Sequence, residues 1–339
     1  MLKNTFALDF NSSTLFNFNF LSDIRIFHII KSAIDLSIFR ILNSHAMTVR
    51  DITEKLGASQ RGVIFFLDSL TALGLLEKEN HLYSLSALSK NLFIEESPDY
   101  IGNFFIDSFL NKNWEALTTA ILKGGLSETV DDKTKAEEFF PKLINFLHIF
   151  HRNPAIKAAE TIGAGRTSNG LQVLDIGCGS AVWSIAVALA DRNSKVTAVD
   201  YPGVLEYTRN YVQRYGLLDR YEFLAGNIDE IDFPHNNFNL VIFGHILHME
   251  GENKSRQLFK KIAKVIASDG RIAILEFLPN RQRTEPLEAV LFGLQMLLYT
   301  KEGGVYSREE YEDWLKDAGF SKFAYHDIGY HSPLLLASK

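Results

Sequence analysis

The sequence predicts an α/β protein: a parallel, doubly wound sheet over residues 166–339, behind an N-terminal all-α, winged-helix domain. Three observations predict it. An apolar run, Leu171–Ile176, enters a glycine turn and then an apolar helical pattern beginning near Ala181. Beyond that turn, short apolar runs alternate with longer helical patterns, as strands joined by crossover helices do. Ahead of it, three helical patterns precede two short strands that flank a polar turn.

The glycine turn is the most informative stretch: Val173-Leu174-Asp175-Ile176-Gly177-Cys178-Gly179-Ser180-Ala181. Gly177 and Gly179 let the backbone turn without Cβ clashes and let a ligand lie against the main chain. The helix that follows offers unpaired N–H groups at the same place. A second apolar strand, Lys195–Val199, ends in Asp200, where an acid can accept hydrogen bonds from ribose hydroxyls. A nucleoside-bearing cofactor is the inference. A dinucleotide fingerprint wants a third glycine where this chain has Val182, so a pyrophosphate is disfavoured. Cys178 reads as a small filler of a crowded turn, because no basic neighbour in sequence would activate it.

Composition bounds the class. A net charge of −6 gives no electrostatic case for a nucleic-acid partner. One cysteine excludes an intramolecular disulfide and fits a reducing cytoplasm. The longest apolar segment, Ala289–Tyr299, is too short to span a bilayer and contains Gln295. Asp9 and Asn11 interrupt the N-terminal apolar residues, so no signal peptide is expected. A soluble, cytoplasmic protein with no membrane partner follows. The 26 phenylalanines suggest a large apolar interior, an aromatic pocket or an apolar subunit interface.

Three regions are expected: an arm and winged-helix domain over 1–97, a helical connector over 98–165, and the sheet domain over 166–339. The arm, residues 1–22, carries Phe6, Phe10, Phe16, Phe18 and Phe20 and should be buried against its own chain or a second subunit. Ile24–Leu42 reads as one amphipathic helix. Thr48 and Asp51 form a capping box for a second helix that Gly57 stops, and Ser59 caps a third. Leu75–Glu77 and Leu82–Ser84 form a hairpin around Lys78-Glu79-Asn80-His81. The third helix holds Arg61 as its only cation, which argues against groove reading and for dimerisation. In the connector, His148 and His151 share a helix face; no third ligand accompanies them, so no metal is expected. Gly163-Ala164-Gly165 with Ser168-Asn169-Gly170 reads as the domain junction.

In the sheet domain the expected strands are Leu171–Ile176, Lys195–Val199, Tyr221–Ala225, Leu240–Phe243 and Arg271–Phe277, with two more near 322–328 and 333–337. The expected helices include one to Asp191, then 203–215, 252–267 and 309–319. Ligands bind at the carboxyl ends of such strands. Gly226, Asn227 and Ile228 follow the third strand, and Gly244, His245 and His248 the fourth. Glu276 belongs to the fifth. An imidazole and a carboxylate at neighbouring strand ends can form a base and its orienter.

The D-x-G-C-G turn with Asp200 resembles motif I of class I S-adenosylmethionine-dependent methyltransferases. The whole chain is similar to the O-methyltransferases of the acetylserotonin and caffeic acid type, including bacterial natural-product enzymes. The N-terminal match runs through Ala33-x-x-Leu36-x-x-Phe39-x-x-Leu42, Leu73-Gly74-Leu75-Leu76 and Tyr83-x-Leu85. The C-terminal match is motif I, Asp200, Gly226, His248, Glu276 and Asp317-Ala318-Gly319-Phe320. The resemblance implies a winged-helix domain that forms an intertwined homodimer and a Rossmann-like domain that binds S-adenosyl-L-methionine and releases S-adenosyl-L-homocysteine. His248 falls on the family's catalytic histidine, Glu276 on its supporting carboxylate, Asp200 on the ribose acid and Asn227 beside adenine. Asp175, Gly177, Gly179, Tyr201, Gly226, Ile228, Phe243 and Gly244 complete the expected cofactor site. Three departures stand out: His-Asp-Trp becomes His248-Met249-Glu250, Gly244 replaces a lysine, and Val305-Tyr306 follows Gly303-Gly304 where a second supporting carboxylate is usual.

The expected reaction is methylation of a phenol or enol hydroxyl on a flat, largely apolar small molecule of secondary metabolism, with His248 as general base. Phe146, His148, His151, His245, Phe292, Met296 and Tyr299 are the expected acceptor-binding residues. Methylation at carbon or nitrogen, or a rearrangement on the same fold, are the alternatives.

Overall fold

The computed structural model describes residues 18–106, 113–130, 133–233, 238–329 and 332–339. The expected burial of the aromatic arm concerns Phe6, Phe10 and Phe16, which lie outside the described residues, and Phe18 and Phe20, whose side chains do too. The chain divides into two compact units, Met1–Ser108 and Phe109–Lys339. The turn at Gly163–Ser168, expected as the junction, therefore lies inside the second unit. It is a tight turn in which Gly163 accepts hydrogen bonds from Arg166, Thr167 and Ser168. Most of the expected connector belongs with the sheet.

In the first unit the single helix expected over 24–42 is two: α1 (Phe18–Asp35) and α2 (Ile38–Leu42). The break is at Ser37, whose φ of 54° is left-handed. No glycine or proline marks it, so the apolar pattern ran through. It turns Ile38, Phe39 and Leu42 into the core, where Phe39 stacks on Phe93 at 4.6 Å. A two-residue strand, β1 (Met47–Thr48), leads into α3 (Val49–Leu56). The Thr48–Asp51 capping box and the left-handed Gly57 stop are both present. Ser59 stands at the N-cap of α4 (Gln60–Ala72), but its hydroxyl makes no capping bond. Strands β2 (Leu76–Glu79) and β3 (Leu82–Leu85) form the wing, with β1 added to β3. The turn is shorter than expected: Asn80 and His81 both have positive φ, as a two-residue hairpin loop requires. Two short helices, α5 (Ala87–Leu92) and α6 (Asn103–Ile106), complete the unit.

In the second unit α7 (Leu117–Lys123) precedes the long α8 (Lys133–Ile162). Strands β4 (Gln172–Ile176), β5 (Lys195–Asp200), β6 (Tyr221–Ala225), β7 (Phe238–Gly244) and β8 (Ile266–Leu275) follow. Helices α9 (Val182–Ala190), α10 (Pro202–Arg214) and α11 (Leu247–Ile262) alternate with them. Then come α12 (Leu287–Tyr299), α13 (Arg308–Asp317), β9 (Lys322–His326) and β10 (Leu334–Ser338). The sheet order is β6-β5-β4-β7-β8-β10-β9. It is mixed rather than wholly parallel: β4 to β8 run parallel, while β10 is antiparallel to both β8 and β9. The connection between β9 and β10 is too short for a crossover helix. Successive side chains of β4 point to opposite faces, Val173 into the layer with α8–α10 and Leu174 and Ile176 into the layer with α11 and α13. The flanking strands β5 and β7 are reached in opposite directions from β4, which opens a crevice beyond its carboxyl end.

Two boundaries moved, and both matter for the site. The helix expected over 252–267 begins at Leu247, with a kink where Gly251 has φ 71° and ψ 172°. The fifth parallel strand starts earlier and stops at Leu275, so Glu276 stands just beyond its end.

Helix α13 is secured by a capping box. The Ser307 hydroxyl accepts the Glu310 N–H at 3.3 Å, and the Glu310 carboxylate accepts the Ser307 N–H at 2.7 Å. The helix buries Tyr311, Trp314 and Leu315. Ser307→Ala is expected to lower stability by about 1 kcal/mol, read as a shifted urea midpoint with an unchanged slope.

Candidate active site

Asp200 ties the ends of β4 and β5 together. Its Oδ2 accepts the Gly179 N–H at 2.9 Å and its Oδ1 accepts the Tyr201 N–H at 2.8 Å. Each oxygen keeps a lone pair for a ligand hydroxyl. Gly177 and Gly179 both have left-handed φ, 62° and 54°. Their surroundings differ. A Cβ on Gly177 would come within 2.7 Å of Ile246 Cγ1, whereas a Cβ on Gly179 would meet nothing within 4 Å. The main chain at Gly179 therefore faces open space, where a nucleoside ligand can rest against it. No side chain caps the N-terminus of α9 beside this turn, so its first N–H groups are available to such a ligand. The donor set suits the cofactor that the sequence implied.

The space is a cleft made of two adjoining hollows. One, of about 140 Å³, is lined by the glycine turn, Asp200, Tyr201, Trp183, His151, His245 and Ile246, among others. The other, of about 320 Å³, is lined by Tyr201, Asn227, Glu250, Lys254, Lys301 and Glu302 with their neighbours. Phe140, Tyr201, Ile246 and Met249 line both.

The second centre of the site is a carboxylate beneath an imidazole. Glu276, only 1 % exposed, accepts His248 Nδ1–H at 2.7 Å through Oε2 and the His248 backbone N–H at 3.3 Å through Oε1. This hydrogen-bond network assigns the proton to Nδ1 and leaves the Nε2 lone pair as the basic site. Among the described residues Nε2 has no hydrogen-bond partner. Phe292 meets the His248 ring edge-on, centroids 4.8 Å apart, and Phe277 packs on Phe292 at 4.2 Å. The glycine loop after α12 holds the histidine's main chain: Gly304 N–H donates to the His248 carbonyl at 2.8 Å. Val305 and Tyr306 stand where a second carboxylate was sought. Val305 is buried and Tyr306 packs on Trp314 at 4.7 Å.

Several expected site residues lie elsewhere. Asp175 is buried under the turn, its carboxylate accepting a hydrogen bond from the Ser184 hydroxyl, and does not line the cleft. Phe243 and Ile228 are core residues of the α11–α13 layer. Gly226 acts through its N–H, which donates to the Asp200 carbonyl at 3.0 Å. Asn227 does line the cleft, while its Oδ1 accepts the Asp229 N–H. Gly244 lies against the Trp183 indole, so no side chain fits there. His148 is fully buried, with Nδ1 at 3.0 Å from Ser180 Oγ, Nε2 at 3.1 Å from the Tyr215 hydroxyl, and its ring stacked on Tyr211. It braces the glycine turn instead of meeting an acceptor. Phe146 stacks on Phe150 outside the cleft lining. Met296 and Tyr299 are buried; Tyr299 belongs to a small cluster that backs Met249. His151 and His245 lie in the cleft wall, and Phe292 lies against the His248 imidazole.

Sequence reasoning missed Phe140, Ile144, Leu147, Trp183, Ile246 and Met249 as lining. Only Ile246 and Met249 carried a signal, because each neighbours a histidine at the end of β7. The others sit on helix faces that read as ordinary core.

Burial perturbs two acids, one in the cleft wall and one beneath the turn, and two histidines of the wall. Loss of water around Asp200 pushes its carboxyl up to about 6, against the hydrogen bonds from Gly179 and Tyr201. Asp175 is raised to about 7, first by burial and then by the Asp200 charge. Burial lowers His151 to about 4 and holds His245 well below the usual imidazole range, so both rings are neutral at pH 7. Asp200 is therefore largely ionised above about pH 6 and gains a proton below it. A protonated carboxyl accepts ribose hydroxyls less well, so affinity for a nucleoside ligand should be level above pH 7 and fall progressively below pH 6. Calorimetric titration with S-adenosylhomocysteine across pH 5–8 reads this; a flat profile would remove Asp200 from the binding set.

The family model of the O-methyltransferase domain matches residues 135–321, and that of the O-methyltransferase dimerisation domain matches residues 18–95. Among curated relatives, 3-hydroxy-5-methyl-1-naphthoate 3-O-methyltransferase of Streptomyces sahachiroi is 25 % identical over 301 residues, covering 86 % of this chain and 85 % of its own. L-tyrosine C(3)-methyltransferase of Streptomyces lavendulae is 24 % identical, covering 90 % of this chain and 86 % of its own. Of solved structures, a Nostoc punctiforme protein assigned as an O-methyltransferase superposes with a TM-score of 0.78 at 28 % identity, over 95 % of this chain and 98 % of its own. Human N-acetylserotonin methyltransferase, solved with S-adenosylmethionine, shares the fold at a TM-score of 0.75 and 20 % identity, over 95 % of this chain and 96 % of its own. The match through both domains and the clamp built by Asp200 agree: the chain belongs to the O-methyltransferase-domain family of S-adenosylmethionine-dependent methyltransferases.

Proposed function

We propose that the chain methylates a phenol or enol hydroxyl of a flat, largely apolar small molecule of secondary metabolism, with His248 as general base and Glu276 as its orienter. The observation that carries this reading is the 2.7 Å bond between His248 Nδ1 and the buried Glu276 carboxylate, which leaves Nε2 basic. S-adenosylmethionine supplies the activated methyl group. Asp200 and the main chain at Gly179 hold it. His248 Nε2 takes the hydroxyl proton as the oxygen attacks, and the adjacent carboxylate stabilises the imidazolium that forms. The acceptor oxygen gains the O–C bond, the C–S bond breaks, and its electron pair stays on sulfur.

The walls support an apolar, planar acceptor. Trp183, the neutral rings of His151 and His245, Phe140 and Met249 surround the cleft, and Phe292 lies over the base. Carbon methylation ortho to a phenol is the second reading, because the relative named for C(3) of tyrosine spans the same two domains and the same base could serve a carbon acid. The first unit serves as a homodimerisation domain in this proposal. Its apolar groove of Ile29, Leu36, Val63 and Phe66 and the 63 % exposed Phe65 support that use.

His248→Gln should lower turnover about 10²–10⁴-fold while S-adenosylhomocysteine binds as before. Unchanged turnover would mean that alignment alone drives transfer. Glu276→Gln should also slow turnover, because the amide no longer offsets the charge that forms on the imidazole. Methyl-labelled cofactor distinguishes O- from C-methylation by the position of label in the product.

A further inference from the structure

His245 is anomalous. Its backbone has a left-handed φ of 61°, costly for a residue with a Cβ. Its Nε2 is buried without a hydrogen-bond partner, and Nδ1 lies 3.9 Å from the nearest carboxylate oxygen, too far for a hydrogen bond. Nδ1, the nitrogen that faces Glu276, makes no hydrogen bond among the described residues and is free to take a ligand. That oxygen is Glu276 Oε2, which also lies 2.7 Å from His248 Nδ1. One donor atom from each of the three residues falls within 4.8 Å of the other two.

We propose that His245, His248 and Glu276 form a binding site for a late first-row divalent ion of the Zn²⁺ class. Two imidazoles and one carboxylate are the ligand set such ions favour, and Mg²⁺ or Ca²⁺, which want oxygen ligands, are excluded. In a tetrahedral site with bonds of about 2.0–2.1 Å, ligand atoms stand roughly 3.3 Å apart. The 2.7 Å pair would open and the 3.9 Å pair close, each by about half an ångström or slightly more, and the two histidine donor atoms, within 4.8 Å of each other, would draw together as the ring of His245 turns toward the ion. The cleft beside them leaves the fourth position to water or the acceptor oxygen.

Occupancy has a chemical consequence that rests on His248 being the base. An ion on Nδ1 takes the place of the proton there, and a neutral imidazole then carries its proton on Nε2. The proton count of the ring is unchanged, but the lone pair that would accept the hydroxyl proton is gone. The ion would therefore inhibit transfer by reversing the tautomer, without blocking the cofactor clamp.

The test uses the full chain stripped of metal with a chelator. Zn²⁺ titration calorimetry should give one ion per chain, Co²⁺ should give a visible absorption band of low-symmetry coordination, and Mg²⁺ should give no heat. His245→Asn, which tolerates left-handed backbone, should weaken Zn²⁺ at least about a hundredfold while the melting temperature is kept; His245→Gly provides a second variant. Cys178→Ser should leave Zn²⁺ affinity unchanged, since its thiol is held protonated by burial and lies outside the cluster. No stoichiometric Zn²⁺ site, or one indifferent to both His245 variants, overturns the proposal. Zn²⁺ bound at His245 with turnover unaffected would leave the ion site standing and remove His248 as base.

Discussion

The site depends on one constraint: a carboxylate at the end of β5 holds the main chain of the turn that follows β4. Asp200 reaches across to the Gly179 N–H and back to its own neighbour Tyr201. That reach is possible only because β4 and β5 are paired in parallel register, with Ile176 opposite Val199. The bonds fix where the glycine turn sits, and therefore where a ligand can approach bare backbone. From the outer side His148 braces the same turn through Ser180, with Tyr211 and Tyr215 of the α10 segment closing round its ring.

Water exclusion then sets the chemistry. Burial raises the Asp200 carboxyl in the cleft wall and that of Asp175 beneath the turn, and lowers His151 and His245. His248 differs from its neighbours His151 and His245 by having a carboxylate within hydrogen-bond reach. Charge on its ring can be matched locally, whereas charge on theirs would be buried and unmatched. Three imidazoles in one small volume thus take different roles without differing in residue type. The two neutral rings make an aromatic wall; the third is held by a buried carboxylate.

The glycine loop after α12 shows how the fold compensates for a departure from the family pattern. Where a second carboxylate was sought, Val305 packs into the core and the loop main chain bonds to the His248 carbonyl. Gly303 is needed there for closeness: a Cβ on it would strike the His248 carbonyl and Thr300. Support for the histidine comes from main-chain contact on one side and from Glu276 on the other.

The sequence by itself determined the doubly wound domain, the winged helix, the cofactor turn with Asp200, and the pairing of His248 with Glu276. Each of these is written in local pattern: strand periodicity, paired glycines, a capping box, or an acid placed at a strand end. Tertiary structure alone decided which buried side chains face the cleft. His148 and His151 share one helix face in sequence, yet the first is locked between Ser180 and Tyr215 and the second lines the cavity. Phe243 and Ile228 stand at strand ends, yet their side chains turn into the core. The left-handed breaks at Ser37 and His245, with neither glycine nor proline to announce them, were equally invisible. The physical reason is that helix and strand periods record which residues are apolar and how they alternate. They do not record what the opposite surface offers, and that surface decides whether a buried ring becomes packing, a brace or a base.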